Sequence, residues 1–268
     1  FKTLEVNISG GVATVSFNRP DKANALNQLA WDELQTCFET LDELPEARVI
    51  ILNGKGKHFC SGIDISLLLG MQQKVDDKCG GRKAEKLRKV VLGLQAPINA
   101  IEKCSKPVLA AIHGGCIGGG LDIAAACDMR YCSSDAYFSI KEADMGLVAD
   151  LGTLQRLPKL IGSGIVKEMA YTARNVGGAE AQEIHLVNKC YESAEVLQSE
   201  VLSIANNIAG KSPLVIRGTK EMLNYAQDHT VADGLNYVAT WNAATILSED
   251  LAISIQAQMT KKTPVFRD

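Results

Sequence analysis

Two uninterrupted apolar runs most constrain the fold of this chain. Val49–Leu52 and Val108–Ile112 contain only apolar residues, a pattern that is typical of strands covered on both faces. Around and between them, the spacing of apolar residues predicts helices over 28–44 and about 83–103, the second open to interruption at Pro97. Strands that alternate with helices predict an α/β core with a parallel sheet.

The two ends of the chain differ in pattern. Near the start, alternating runs over Leu4–Ile8 and Val12–Phe17 flank Gly10-Gly11 and predict a β-hairpin. After about residue 150 the pattern becomes almost wholly helical, and helices are expected to begin near Gly152, Gly164, Ala179, Ala194, Pro213, Val231 and Ser248. We therefore expect an α/β core with the active site over 1–195. We expect a helical region over 196–268 whose apolar faces need the core or another subunit as a partner.

Charge and hydropathy exclude several classes of protein. The 268 residues carry 28 basic and 31 acidic side chains, and this net charge of −3 argues against a general binder of polyanions. The basic run Arg82–Lys89 is typical of a solvated helix face, with nucleic-acid binding as a minor alternative. No apolar run approaches the roughly 20 residues that span a bilayer, so no membrane segment is expected.

Cysteine and histidine usage gives no sign of a disulfide framework or a metal site. The eight cysteines include no CxxC pair, and we interpret them as small buried apolar residues of a reducing compartment. The four histidines, His58, His113, His185 and His229, lack metal-ligand spacing. We therefore expect no bound metal.

The stretch 113–122 places three consecutive glycines directly before an apolar run. Gly118-Gly119-Gly120 lets backbone N–H groups approach a ligand without Cβ interference, and Leu121–Ala126 predicts a helix that begins there. N–H donors at a helix N-terminus favour a phosphate or a carbonyl oxygen that becomes an oxyanion. The P-loop and dinucleotide-binding patterns are absent. The alternative is a tight strand-to-helix turn in which Asp122 complements the helix dipole.

A second loop is a candidate partner for that turn. Residues 59–65 read Phe-Cys-Ser-Gly-Ile-Asp-Ile, in which Gly62 permits a sharp turn and Asp64 can cap a helix that starts at Ile65. Taken alone, a capped loop is the simpler interpretation. The functional alternative makes the Ile63 N–H a second donor beside the glycine run, since two donors from separate loops form an oxyanion hole.

Two acidic residues in 141–152 are candidates for different reasons. Asp150 lies between apolar neighbours, where it either caps a helix that starts at Thr153 or sits where desolvation raises its pKa into a useful range. Glu142 is less informative alone, because Lys141 can pair with it at the surface. Taken alone, neither residue shows whether its role is structural or catalytic.

Five ordered motifs resemble the crotonase (enoyl-CoA hydratase/isomerase) superfamily over nearly the whole chain. They are Asn18-Arg19-Pro20 with Asn24-Ala25-Leu26, Ser61-Gly62-Ile63-Asp64, Lys106-Pro107-Val108 leading to Gly118-Gly119-Gly120, Cys127-Asp128-Met129-Arg130, and Gly152-Thr153-Leu154-Gln155-Arg156-Leu157-Pro158. The resemblance implies a spiral of ββα turns and a helical C-terminal region that trimerises, often into a dimer of trimers. It also implies an acyl-CoA substrate, with coenzyme A as part of the substrate and no separate cofactor.

The resemblance implies roles for particular residues as well. The N–H groups of Ile63 and Gly119 would hold the thioester oxygen. The substrate-binding positions would be Ala25, Gly62, Ile63, Asp64, Ile65, Ser66, Gly119 and Gly120. Hydratases of the family carry Glu at the positions of Asp122 and Glu142 and no acid at the position of Asp150. This chain has an acid at all three, which resembles the Δ3,5-Δ2,4-dienoyl-CoA isomerases of the family.

The expected reaction follows from those acids. Conversion of a 3,5-dienoyl-CoA to a 2,4-dienoyl-CoA removes a proton at C2 and adds one at C6, so two carboxylates in an apolar pocket suit it better than one. We expect Glu142 to act as base at C2 and Asp150 as acid toward C6, with the reverse assignment open. Asp122 would tune or orient the pair, because adjacent carboxyls titrate together.

Alternative functions and locations stay open at this point. The alternatives within the family are an enoyl-CoA hydratase and a Δ3-Δ2-enoyl-CoA isomerase. From another class, a crotonase-fold RNA-binding protein would use the basic run. Isomerases of the family work in mitochondria or peroxisomes, so the mitochondrial matrix or the peroxisome is the expected location.

Overall fold

The secondary structure comes from a computed structural model that describes the backbone of residues 1–268 and all side chains except those of 71–74. The strands are β1 (Leu4–Ser9), β2 (Val12–Phe17), β3 (Val49–Gly54), β4 (Val108–Ile112), β5 (Gly115–Ile117), β6 (Met129–Ser133), β7 (Tyr137–Ser139), β8 (Val176–Gly177) and β9 (Lys189–Tyr191). The helices are α1 (Gln28–Glu43), α2 (Ile65–Lys74), α3 (Gly80–Lys103), α4 (Gly119–Ala126), α5 (Thr153–Leu160), α6 (Ser163–Thr172), α7 (Gly178–Glu183), α8 (Ala194–Ala209), α9 (Pro213–Tyr225), α10 (Val231–Thr245) and α11 (Glu249–Thr260). Short 3₁₀ turns cover Pro20–Lys22 and Glu142–Met145.

The larger sheet places its strands in the order β1-β2-β3-β4-β6-β9. β1 and β2 form the predicted antiparallel hairpin, with Leu4 opposite Phe17, and the remaining neighbours run parallel. Parallel neighbours need crossover connections, which helices supply here. A smaller sheet has the order β5-β7-β8, and its first strand leads the chain into the glycine run. The predicted α/β class is confirmed.

Both faces of β3 are covered by apolar side chains. Ile50 and Leu52 belong to the main core cluster, which includes residues of α1 and α3. Val49 and Ile51 belong to a second cluster on the other side, which includes Leu197 of α8. Successive side chains of a strand point to opposite faces, so a continuous apolar run requires cover on both. The prediction of a doubly covered strand is confirmed, and the sheet gives the site a rigid base.

The long helix α3 differs from its sequence-based expectation. It continues through Pro97 without the interruption that the sequence left open. Pro97 cannot donate the backbone hydrogen bond of a helix interior. Its neighbours Leu94, Ile98 and Ile101 are buried in the main core, and this burial offsets the lost hydrogen bond. α3 therefore runs as one continuous element past the region where the acids lie.

The second half of the chain is less uniformly helical than its pattern predicts. β9 joins the edge of the larger sheet beside β6, and a strand of three residues is too short to show a period of two. α8 packs against the sheet through Leu197 and Val201. The division of the chain at residue 195 stays a prediction.

Two of the eight cysteines are not buried. Cys79 is exposed and Cys190 is half-buried, whereas the other cysteines are buried as expected.

Within the basic run, Lys86 pairs with Asp77 at 2.9 Å and Lys89 with Glu85 at 3.5 Å, as on a solvated helix face. Among the helices whose residues are described, none is both long and apolar enough to cross a membrane.

Candidate active site

Two loops meet beside the N-terminus of α4. The loop after β3 is tied to β5 by hydrogen bonds from Ile117 N to Cys60 O and from Cys60 N to Gly115 O, both 3.0 Å long. At the turn of this loop Gly62 has a φ of 91°. A Cβ there would lie 2.8 Å from Ile117 O and 3.3 Å from Gly119 N. Glycine permits both this left-handed backbone and this close approach, so the loop turns sharply and faces the glycine run as the sequence predicts.

Two backbone amides at this meeting point have no acceptor. Leu26 pairs with the two neighbours of Ile63 rather than with Ile63 itself. Its N–H donates to Gly62 O (2.8 Å), and its carbonyl accepts from Asp64 N (3.1 Å). Gly119 is the first residue of α4, whose early N–H groups have no partner inside the helix. In the described part of the chain, neither the Ile63 nor the Gly119 N–H donates to another group.

The two amides belong to loops that lie against each other. A Cβ on Gly119 would lie 3.6 Å from Ile63 N, so an atom of that size in front of Gly119 lies near both loops. Two N–H donors that converge on one point can hold an oxygen that becomes negative during a reaction. An oxyanion hole formed by these two amides stays a prediction.

Asp122 lies in the first turn of α4 and exposes only 1% of its surface. Its Oδ1 accepts hydrogen bonds from the N and Oγ1 of Thr153, both at 2.6 Å. Its Oδ2 is buried, with no partner among the described residues. Burial raises the pKa of Asp122 from 3.8 to about 6, and the bonds from Thr153 oppose that rise. Asp122 therefore caps the N-terminus of α5 and keeps one oxygen free.

Glu142 begins the second 3₁₀ turn and approaches the glycine run from the other side. A Cβ at Gly118 would lie 3.1 Å from its Oε1, and its Oε2 is buried without a partner in the part of the chain that is described. Burial raises the pKa of Glu142 from 4.5 to about 7, and the charge of Asp122 acts in the same direction. Lys141 pairs with Asp144 at 2.7 Å, so the surface pair that the sequence allowed between Lys141 and Glu142 does not form.

Asp150 lies in the loop before α5 and lines a cavity of about 560 Å³ with Gln95 and Gln155. It does not cap α5, because Gly152 occupies the N-cap position. The residue is exposed at the rim of this open cavity, so the expected fully apolar pocket does not surround it. Surrounding atoms nevertheless desolvate its carboxyl and raise its pKa, which its own backbone amide partly opposes.

The three acids form one electrostatic group. The charge of Asp150 raises the pKa of Asp122 and also that of Glu142. With pKa values of about 6 and about 7 for the two buried members, the group can accept and donate protons near neutral pH.

Asp64 performs the structural role that the sequence suggested for it. Its Oδ1 accepts from Ser66 N at 3.1 Å and from Ser66 Oγ at 2.7 Å, which caps α2. Its Oδ2 pairs with Arg19 at 3.2 Å, and Arg19 also donates to the Ala25 carbonyl. The polar groups of Asp64 and Ala25 are therefore engaged within the protein, and the capped-loop interpretation of this segment is confirmed.

Two further predicted binding positions lie next to this group. Gly120 packs closely against the loop after β3, since a Cβ there would lie 2.6 Å from Cys60 O. Ile65, the first residue of α2, exposes 61% of its surface. Substrate contacts at these positions, and at the other predicted ones, stay predictions.

Three residues near the acids were not identified from the sequence as site residues. Thr153 and Arg156 belong to the last of the five family motifs, and Thr153 also begins a predicted helix, but the sequence assigns no role in the site to them or to Gln95. The available signal was the spacing of Gln95, Asn99 and Glu102, which places three polar residues on one face of a helix. Arg156 Nη2 donates to Asn99 Oδ1 at 2.8 Å and to Glu102 Oε2 at 2.7 Å.

The histidines take part in backbone contacts. His58 Nδ1 accepts from Gly115 N at 3.0 Å, and His113 Nε2 forms a 2.9 Å hydrogen bond with Gly56 O. Apart from side chains 71–74, no group of three His, Cys, Asp or Glu residues is placed to hold a metal ion. The polar groups of the site described above are backbone amides and carboxyls.

Comparisons with known proteins identify the family of this chain. The family model described as Enoyl-CoA hydratase/isomerase matches residues 7–268. A protein of Arabidopsis thaliana named "Delta(3,5)-Delta(2,4)-dienoyl-CoA isomerase, peroxisomal" is 48% identical in an alignment 270 positions long that covers 99% of this chain and 97% of that protein. A Homo sapiens protein with the same name but the word "mitochondrial" is 44% identical over 254 residues, which are 94% of this chain and 77% of that protein.

A solved structure supports the same assignment. The crystal structure of an enoyl-CoA hydratase from Bacillus anthracis superposes with a TM-score of 0.89 at 30% sequence identity, and the match covers 99% of each chain. The crotonase-type fold that the motifs predict is confirmed by this likeness, while trimerisation stays a prediction. This chain belongs to the enoyl-CoA hydratase/isomerase family.

Proposed function

We propose that this protein is a Δ3,5-Δ2,4-dienoyl-CoA isomerase that acts in the oxidation of unsaturated fatty acids. One observation carries the proposal: Glu142 lies against the glycine run whose Gly119 amide has no acceptor among the described residues, and the charges of Asp122 and Asp150 both raise its pKa. The names of the relatives that are 44–48% identical support the same activity. A site with this third acid is suited to proton transfer at two separate carbons.

The amides of Ile63 and Gly119 would bind the thioester oxygen of the substrate. When a proton leaves C2, the electron pair moves toward that oxygen and the dienolate becomes negative there. Each positioned N–H donor contributes about 3 kcal/mol to the stability of such an oxyanion. The fold holds both donors in place before substrate arrives, so the reaction needs little reorganisation of the backbone.

Glu142 and Asp150 would carry the two proton transfers. In our assignment Glu142 accepts the proton from C2, and Asp150 donates a proton to C6 as the double bonds move to C2=C3 and C4=C5. The reaction returns as many protons as it takes, and the carboxyls regain their starting forms through solvent. The roles of base and acid are assigned here by the nearness of Glu142 to the Gly118 turn.

Asp122 would act through its charge rather than by contact with the substrate. Its Oδ1 is fixed by Thr153, and its charge raises the pKa of Glu142. A base whose pKa lies near the working pH is strong enough to take a proton and is still largely ionised. Asp122 thus adjusts the pKa of Glu142, one member of the pair of acids that transfers protons.

The proposal includes expectations about cofactor and location. Coenzyme A enters as part of the substrate, and the amides and acids supply the chemistry of the bond shift, so no separate cofactor is required. The relatives named above carry the words "peroxisomal" and "mitochondrial". We propose the mitochondrial matrix or the peroxisome as the location of this protein.

We also propose that the protein forms a homo-oligomer, a trimer or a dimer of trimers, through its C-terminal helices. Apolar side chains on and around α10 and α11 are strongly exposed, among them Val231, Leu247 and Met259, each above 80%. A cavity of about 450 Å³ beside them is lined by Trp241 and Leu251. Apolar side chains exposed to this degree in one region of a chain are typical of a protein interface.

A substrate comparison tests the proposed function. The purified chain is incubated with a 3,5-dienoyl-CoA and, separately, with a 2-enoyl-CoA, and the products are identified by mass and ultraviolet absorbance. We expect formation of the 2,4-dienoyl-CoA, and we expect Asp150→Asn to remove most of that activity while binding of the CoA ester survives. Hydration of the 2-enoyl-CoA at a higher rate than isomerisation, or normal turnover by Asp150→Asn, would overturn the proposal.

The RNA-binding alternative has less support. Lys86 and Lys89 of the basic run are already paired with Asp77 and Glu85, which lowers the net positive charge of that face. A binder of RNA needs an excess of positive charge and shows strong salt dependence. Salt-sensitive RNA binding that survives the loss of Glu142 and Asp150 would revive this alternative.

A further inference from the structure

The Asp150 side chain is not held in place by any other side chain of the described part of the protein. The hydrogen bond that affects its carboxyl comes from its own backbone amide. Glu142 is half-buried and Asp122 is fixed by Thr153, so Asp150 differs from both other acids. The position of its carboxyl therefore depends on how firmly its backbone is held.

Two side chains hold that backbone on the C-terminal side of the Asp150 Cα. Gln95 Nε2 donates to the Asp150 carbonyl at 2.6 Å, and Arg156 Nη1 donates to the Leu151 carbonyl at 3.4 Å. Directly after these two residues, Gly152 has a φ of 127°, and a Cβ there would overlap Nη1 of Arg156. The Arg156 guanidinium thus lies directly against the backbone at Gly152. Only glycine, which has no Cβ, fits beneath it at this position.

Both side chains are supported by the same helix. Gln95 lies on α3, and α3 also supplies Asn99 and Glu102, which accept hydrogen bonds from Arg156. On its other side α3 is anchored in the core. A well-packed helix is a more rigid support than a loop. The carbonyls of Asp150 and Leu151 therefore both attach this loop to α3, through Gln95 and Arg156.

We propose that Gln95 and Arg156 are positioning residues that place the Asp150 carboxyl for proton transfer at C6. The inference rests on the proposed function and adds these two residues to it. Glu142 lies on a separate 3₁₀ turn, and neither Gln95 nor Arg156 forms a hydrogen bond with it among the described side chains. Gln95 therefore acts on the second proton transfer and leaves the first one intact. Arg156 acts on the same loop, and its charge also lowers the pKa of Asp122, so a variant that tests its positioning role has to keep that charge.

This selectivity has a chemical consequence that can be measured. Once C2 has lost its proton, the dienolate is protonated either at C6, which gives product, or again at C2, which returns the substrate. In D₂O the second path leaves deuterium at C2 of the recovered 3,5-dienoyl-CoA. A misplaced Asp150 slows the first path only, so the ratio of C2 exchange to isomerisation rises.

Gln95→Met tests the inference, because methionine keeps the length of the side chain and removes its N–H donor. We expect isomerisation to fall about tenfold, since small displacements of a catalytic group are costly, while C2 exchange stays within about twofold of wild type. Arg156→Lys, which keeps the positive charge, is expected to change the ratio in the same direction. Gln35→Met is the matched control, because it removes the same kind of N–H donor, which here bonds Glu39 at 2.8 Å within α1, and leaves the support of the Asp150 loop unchanged.

Each outcome has one meaning. A higher ratio in Gln95→Met and an unchanged ratio in Gln35→Met support the inference. If exchange and isomerisation fall in parallel in both Gln95→Met and Arg156→Lys, or if neither changes, the two residues are not positioning residues for Asp150. A wild-type protein that converts no 3,5-dienoyl-CoA overturns the proposed function instead, and the inference falls with it.

Discussion

Thr153 donates both its backbone N–H and its hydroxyl to the same oxygen of Asp122, at 2.6 Å each. The first of these bonds satisfies an N–H at the start of α5, which has no partner within its own helix. Asp122 is therefore at once the cap of α5 and a buried member of the acid group. Because the ionised carboxylate accepts these bonds best, Thr153 limits how far burial raises the pKa of Asp122.

Thr153→Val is expected to raise the pKa of Asp122 above its value of about 6. The substitution keeps the shape of the side chain and removes one of the two donors. At pH 8, where the carboxyl is ionised, the lost charge-assisted bond should reduce the free energy of unfolding by about 2 kcal/mol. Carbon-13 NMR titration of the carboxyl and urea unfolding measure the two effects. Thr153→Ser keeps the hydroxyl and should behave like wild type, and an unchanged pKa in Thr153→Val would contradict the assignment.

Asp122→Asn is expected to reduce the loss of stability between acidic and neutral pH. The pKa of Asp122 is 3.8 in the unfolded chain and about 6 in the folded protein. Between these values the folded state binds more protons, so the free energy of unfolding falls as pH rises, by on the order of 3 kcal/mol when the shift is about two units. Asparagine cannot ionise. Urea unfolding at pH 4 and pH 8 should therefore show a smaller difference for the variant than for wild type, and an equal difference would count against a raised pKa.

The same substitution should shift the pH dependence of activity in a way that identifies the base. The charge of Asp122 contributes to the rise of the Glu142 pKa to about 7. If Glu142 is the base, the acidic limb of kcat/KM lies near pH 7 and moves to lower pH in Asp122→Asn. If Glu142 is the acid, the alkaline limb moves instead. A profile in which neither limb moves would mean that Asp122 does not act on Glu142 through its charge.

The sequence predicts the scaffold of the site better than the relations between its acids. The sharp turn at Gly62 and the helix that begins at the glycine run follow from local chemistry, because glycine and an apolar run impose them over a few residues. The capping role of Asp64 is equally local, since its partner Ser66 is two residues away. Such features depend on neighbours in the chain and can be predicted from them.

The surroundings of Asp122 and Asp150 depend instead on residues far away in the sequence. Thr153 is 31 positions from Asp122, and Gln95 is 55 positions from Asp150. Local patterning gave Asp150 a capping alternative that the structure does not support, because the cap of α5 comes from Asp122. A tertiary contact of this kind leaves no periodic signal in the chain, so it could not have been predicted from spacing.

Gly119→Ala tests the space in front of the two free amides. A Cβ at this position would lie 3.6 Å from Ile63 N, which is an ordinary contact, so the fold should tolerate it. The methyl group would nevertheless occupy the place of the thioester oxygen. We expect isomerisation to fall by roughly a hundredfold, as for the loss of an oxyanion-hole donor, with thermal stability unchanged. In the control Gly93→Ala, a Cβ has no neighbour within 4 Å, and activity should be retained. Normal activity in Gly119→Ala would exclude this space as the oxyanion site.

Leu247→Glu is expected to weaken or abolish self-association. Leu247 exposes 90% of its surface in the turn that precedes α11, and a carboxylate buried in an apolar interface would pay a large desolvation penalty. Light scattering coupled to size-exclusion chromatography should show a trimer or hexamer for wild type and a smaller species for the variant. Thr40→Glu adds the same charge at an exposed position of α1, outside the C-terminal helices, and is the control. A wild-type protein that remains monomeric, or a Leu247→Glu variant with the wild-type mass, would show that this surface does not mediate assembly.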